Sequence, residues 1–177
     1  METTENNWTT GTVVTLPRKE RQHKKGGLNS YEYYIASRYV CIREAKDGQR
    51  GILLKVLGKV FADQVKIVGG KPFTIDDYEE LFDGHRYGSY PFPTALQVSE
   101  AVSIFRQDTS LLQKLEEAKM HLNPNGKFWV DDTTRSAFFT KVPQVYNASN
   151  GQLNSVSDDT PYYRITMVYF DKEQLLW

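Results

Sequence analysis

Long apolar runs are missing from this chain. No segment approaches the ~18 consecutive apolar residues that cross a bilayer as a helix. The opening METTENN is polar and acidic, where a secretion signal needs a cationic start and an apolar stretch. The expectation is a protein of the cytoplasm or of an assembled particle, with no secretion signal and no membrane contact. Cysteine is almost absent. The single Cys41 excludes an intrachain disulfide and any multi-cysteine metal cluster, and it fits a reducing compartment. Excess charge is absent too: 22 Lys and Arg stand against 22 Asp and Glu. Contact with nucleic acid must then come from a local patch rather than from the field of the whole molecule.

Catalytic motifs are equally scarce. There is no Walker A loop, no GxGxxG and no GxSxG elbow, and Gly69-Gly70-Lys71 is too short to cradle a phosphate. His23, His85 and His121 lie far apart, and none has a partner at metal-ligand spacing. Cys41 sits among apolar strand residues, where a thiol is usually an inert small hydrophobe. No cofactor is expected, and the balance leans away from an enzyme.

Aromatics are plentiful, with eleven Tyr and nine Phe in 177 residues, and they favour strands. WTTGTVVTLP, 8–17, reads as a first strand ended by Pro17. SYEYYIASRYVCIRE, 30–44, is the strongest strand signal. Its apolar residues fall on both parities, which requires cover on both faces or a bulge that exchanges them. Asp47-Gly48 marks a hairpin turn. In 51–70, Leu53, Leu57, Val60 and Phe61 have helical spacing while Ile52, Leu54 and Val56 alternate as a strand; Gly58 tips the reading toward strands at 51–57 and 64–68. PFTIDDYEELFDG reads as a helix over 72–84, with Thr74 as N-cap and Asp76 and Asp77 in its first turn.

The surest helical region is 94–122. Thr94 and Gln97 match a capping box. Val98, Val102 and Phe105 form one stripe and Leu111, Leu115, Ala118 and Leu122 another, broken at Asp108-Thr109-Ser110. Strands follow at 127–130, 136–146 and 161–170, with Pro143 placing the second at an edge or a bulge. The fold expected is a single α+β domain over 1–177. Its sheet is mostly antiparallel and aromatic-rich, built from N- and C-terminal strands, with two to three helices (72–84, 94–122) in the middle. Outside it lie a polar N-terminal tail, 1–7, a basic loop, 17–30, and a polar hairpin tip, 147–160.

Candidate contact residues concentrate in PRKERQHKKGGLNS. Arg18, Lys19, Arg21, Lys24 and Lys25 can meet phosphates or an acidic protein groove, and neighbouring Tyr31 and Tyr33 can stack on bases or anchor a partner. The bland alternative is a solvated connector. Tyr87, Tyr90 and Phe92 lie in a Gly- and Pro-rich loop, where aromatics anchor a partner or fold back to plug a core edge. Trp177 closes an apolar C-terminus that must be pinned to the body or inserted into a partner. Asp131 and Asp132 are the weak metal candidates. Adjacent strand residues point to opposite faces, so such a pair seldom chelates alone. Together these features favour a non-enzymatic interaction or assembly subunit, for example a structural part of a larger particle such as a viral tail or connector. The alternative is nucleic-acid binding through 17–30 and the adjacent Tyr-rich strand, and a metal-dependent hydrolase or nuclease comes third.

Overall fold

A computed structural model describes residues 3–5, 8–23, 30–68, 71–74, 92–135, 140–156 and 159–175, with backbone alone at 3–5, 17–23, 30–36, 68, 73 and 173–175. The strands are β1 (Thr3–Glu5), β2 (Val13–His23), β3 (Ser30–Arg43), β4 (Gly51–Val60), β5 (Val65–Val68), β6 (Lys71–Thr74), β7 (Lys127–Arg135), β8 (Lys141–Asn147), β9 (Gln152–Ser155), β10 (Tyr162–Phe170) and β11 (Glu173–Leu175). The helices are α1 (Ala95–Gln107) and α2 (Ser110–Glu117). Seven strands form the main sheet in the order β2-β3-β4-β10-β7-β8-β9, while β1 with β11 and β5 with β6 form two small antiparallel pairs. Every neighbour in the main sheet is antiparallel except β10 and β7, which meet in parallel at Tyr163 and Phe128. The protein is thus an α+β domain around a large, mostly antiparallel sheet.

Both faces of the sheet centre are covered. Val40 and Ile42 of β3, with Ile52, Leu54 and Val56 of β4, turn toward the helices and bury against Val98, Val102, Phe105, Leu111 and Leu115. The alternate residues Tyr39, Cys41 and Leu53 bury on the opposite face with Val14 and Phe170, under Trp8. This explains why β3 is apolar at both parities. It also carries the bulge, a register shift between Cys41 and Arg43. Burying each side chain of this size contributes about 2 kcal/mol, so the doubly covered centre dominates stability.

Local chemistry shapes the helices as the spacing predicts. The Gln97 N–H donates to Thr94 Oγ1 at 3.2 Å, and the Thr94 N–H donates to Gln97 Oε1 at 2.9 Å. Asp108 ends α1 and its carboxylate accepts the Ser110 N–H, so the chain breaks into two helices there. The second helix stops five residues before 122. The Lys119 N–H donates to the Glu116 carbonyl and the Met120 N–H to the Leu115 carbonyl, with Lys119 at φ 65. That is a Schellman motif closed by buried Met120 and Leu115. Ala118 and Leu122 still enter the same core from this turn.

Several expectations need correction. The strand expected over 8–17 is instead β2, Val13–His23: the Thr12 N–H returns to the Thr9 carbonyl, and Gly11 at φ 90 makes the turn. Pro17 does not end the strand, because β2 is an edge and tolerates a missing donor. Hence 17–23 of the expected basic loop is strand, paired with β3 from Val13↔Val40 to His23↔Ser30, and 24–29 lies outside the described residues. At the start of the helix expected over 72–84, residues 72–74 are strand instead, part of β6 paired with β5 (Val65↔Thr74). The remainder of that span, 75–84, lies outside the described residues. The tail 1–7 includes β1, which pairs Thr3 with Leu175. The tip 147–160 folds back as β9 after a turn with Gly151 at φ 73, pairing Tyr146 with Leu153. The strand at 127–130 continues as β7 to Arg135, and β8 begins at Lys141. Opposite Pro143 the register skips Asp131 and Asp132, so the extra residues lie on β7, while β8, expected as an edge or bulged strand, sits between β7 and β9 without an insertion.

Candidate functional site

Two places collect residues suited to binding. The first is the β2–β3 ribbon. The contacts of β4 with β3 begin at Val40↔Leu54 and run toward Arg43. From Leu16↔Ser37 outward, β3 pairs with β2 alone among the described residues. The ribbon then runs to His23↔Ser30, about 24 Å at the antiparallel rise per residue. At its root the Lys55 ammonium donates to Ser37 Oγ at 2.6 Å. The register sets Arg18 opposite Ile35, Lys19 opposite Tyr34, Glu20 opposite Tyr33, Arg21 opposite Glu32 and Gln22 opposite Tyr31. The expected contact residues Arg18, Lys19, Arg21, Tyr31 and Tyr33 therefore share one two-stranded element. Lys24, Lys25, Tyr87, Tyr90 and Trp177 lie outside the described residues.

Phe92 does not belong with them. It is 4% exposed and packs with Val65, Trp129, Val145 and Tyr162, and the buried Arg164 guanidinium lies 3.7 Å from its ring centre. The alternative in which this aromatic plugs a core edge is the one realised. Asp131 and Asp132 occupy the β7 bulge and diverge. The Lys71 ammonium donates to Asp131 Oδ2 at 3.0 Å, while the Ala95 N–H donates to Asp132 Oδ2 at 2.8 Å. The Asp131 N–H also holds the Pro93 carbonyl at 2.8 Å. This bulge fastens the start of α1, and no group of three His, Cys, Asp or Glu able to hold a metal occurs among the described residues.

The second place was not legible in the sequence. A cleft of about 620 Å³ lies between the first turns of α1, the end of β3, the 46–50 turn and the end of β10. Its floor is a row across three strands: Ile52 of β4 has Arg43 of β3 on one side and Tyr169 of β10 on the other. The β3 bulge builds this row. Ile42 is the inserted residue, so Arg43 falls opposite Ile52, which faces the helices, instead of following Cys41 to the other face. The Arg43 guanidinium donates to Glu100 Oε2 at 3.1 Å and through Nε to the Arg50 carbonyl at 2.9 Å. The Tyr169 hydroxyl donates to Glu100 Oε1 at 2.6 Å. Burial first, and then the Glu100 carboxylate, hold the Tyr169 phenol above its usual range, so it stays a donor. The Arg50 guanidinium lies 4.6 Å from the Tyr169 ring centre.

The only cysteine lies on the other face. Cys41 is buried, and burial pushes its thiol up to about 11, which keeps it protonated and unreactive at neutral pH. No helix among the described residues is long and apolar enough to cross a membrane. Among the described residues, fold and site define an α+β protein with a polar cleft under α1 and a long ribbon. In comparisons with protein-family models, curated proteins and solved structures, nothing matches this chain.

Proposed function

We propose that this chain is a non-enzymatic interaction subunit that engages another protein, or further copies of itself, through the β2–β3 ribbon. The observation that carries this reading is that, among the described residues, β3 beyond Ser37 pairs on one side only, giving a two-stranded element with Arg, Lys and Tyr at its register positions. Arg and Tyr are the residue types that anchor protein interfaces, because each combines a large contact area with a hydrogen-bonding end. Pro17 and the neighbouring cations argue against simple strand addition along the β2 edge, so the contacts fall to side chains. Self-association through this element would make the chain a building block of a larger particle, of the viral tail or connector kind.

Nucleic acid is the second reading. Arg18, Lys19 and Arg21 lie on one element of a chain whose net charge is zero, and Tyr31 and Tyr33 pair beside them. Light scattering on the purified chain, beside its Arg18→Glu/Lys19→Glu variant, tests the first reading. An assembly that disperses in the variant supports it, and a monomer that also retains no protein from a cognate extract removes it. A fluorescent single-stranded oligonucleotide titrated at two salt concentrations separates the second. Binding that falls steeply with salt and is lost in the variant transfers the ribbon to nucleic acid.

A further inference from the structure

We infer that the cleft under α1 is a binding site for the oxyanion of a small acidic ligand, a carboxylate or a phosphate ester. The inference is independent of the ribbon and rests on the balance of donors and acceptors lining the cleft. Two guanidinium groups, Arg43 and Arg50, face one carboxylate, Glu100, which leaves a single net positive charge. Each Glu100 oxygen already accepts a charge-assisted or hydroxyl hydrogen bond, one from Arg43 and one from Tyr169. Donors remain. Arg43 uses Nε and one terminal nitrogen internally, which leaves the other terminal nitrogen. Arg50 has no hydrogen-bond acceptor for its guanidinium among the described residues, and its ring contact with Tyr169 leaves the N–H edge free to donate. The Gln97 Oε1 accepts the Thr94 N–H, and its amide NH2 adds donors to the cleft lining. Ser99 and Ser103 add hydroxyls from the same helix.

A cleft with surplus donors and its only carboxylate engaged selects a ligand rich in acceptors and negative in charge. Its positions are ordered in advance. The bulge sets Arg43, the Tyr169 ring sets Arg50, and Glu100 ties two of the three strands of the floor to the helix. The volume suits a small molecule. Leu96, 81% exposed at the rim, offers an apolar surface to the ligand body behind its charged group.

Calorimetric titration of the whole chain with inorganic phosphate and with succinate, at ionic strength held constant with chloride, tests the site. Saturable heat with phosphate alone assigns a phosphate ester, with succinate alone a carboxylate, and with both the shared oxyanion. Arg50→Gln, an exchange at an exposed turn position, weakens binding by about tenfold or more, as loss of a charge-assisted pair requires. Glu100→Gln keeps an oxygen acceptor for the network and removes its charge. It tightens binding severalfold, a gain that a damaged fold does not mimic. No saturable heat with either probe overturns the assignment. So does binding unchanged in Arg50→Gln, or binding no tighter in Glu100→Gln.

Discussion

Strand β3 is one continuous run of similar residues, yet its two halves live under different physics. From Tyr39 to Ile42 every side chain is buried, β2 pairs at Tyr39 and Val40, β4 pairs at Val40 and Cys41, and packed clusters cover both faces. From Ser30 to Ala36 the same strand has β2 as its only pairing partner among the described residues. Aromatic and β-branched composition makes both halves strands. Only the second edge and the two covers make one of them a core. The difference separates stability, held at the inner half, from recognition, proposed for the outer.

Substitutions at the inner half carry the largest effects. Leu54 opposes Val40 and is fully buried, and Leu54→Ala is expected to cost about 3 kcal/mol, lowering the melting midpoint by about 9 °C for a chain of this size. Calorimetry or circular dichroism measures it. Next comes Gly51→Ala. A Cβ there would sit 2.2 Å from the Phe170 ring, itself buried against Trp8. The expected loss is about 2 kcal/mol from forced repacking, read from urea unfolding.

Cys41 sharpens the comparison through pH. Its folded thiol holds its proton up to about 11 against a reference of 9.0. The folded state therefore binds this proton more tightly than the unfolded chain. The contribution is fully present below pH 9 and is lost as pH rises toward 11. Cys41→Val removes the titration, so its stability falls less steeply across that window than the parent's in urea titrations. The smallest effect belongs to the outer half. Arg18→Glu with Lys19→Glu is expected to change stability by less than about 0.5 kcal/mol. A loss as large as that of Leu54→Ala would erase the distinction between the halves.

The candidate cleft shows why legibility ended where it did. Arg43, Glu100 and Tyr169 come from three elements separated by more than fifty residues each, and no local spacing connects them. Arg43 reaches the cleft only because one inserted residue turns the strand. Asp131 and Asp132 were visible as a pair, but their separation onto Lys71 and Ala95 depends on a bulge and on where α1 starts. Phe92 read equally well as an anchor or a plug, and the choice required a partner surface from Trp129 and Tyr162.

What the sequence determined by itself is what short-range physics controls. The Thr94–Gln97 capping box, the break at Asp108, the turn at Asp47-Gly48 and the strand character of 30–43 and 162–170 are each settled within a few residues by dihedral preference, hydrogen bonding and apolar alternation. Tertiary structure alone decided that the last long strand enters the middle of the sheet between β4 and β7. It also turned a basic connector into a paired ribbon, and it made 71–74 a strand. Strand partners are chosen by packing and backbone pairing across long loops, and those energies exist only once the distant segment has arrived.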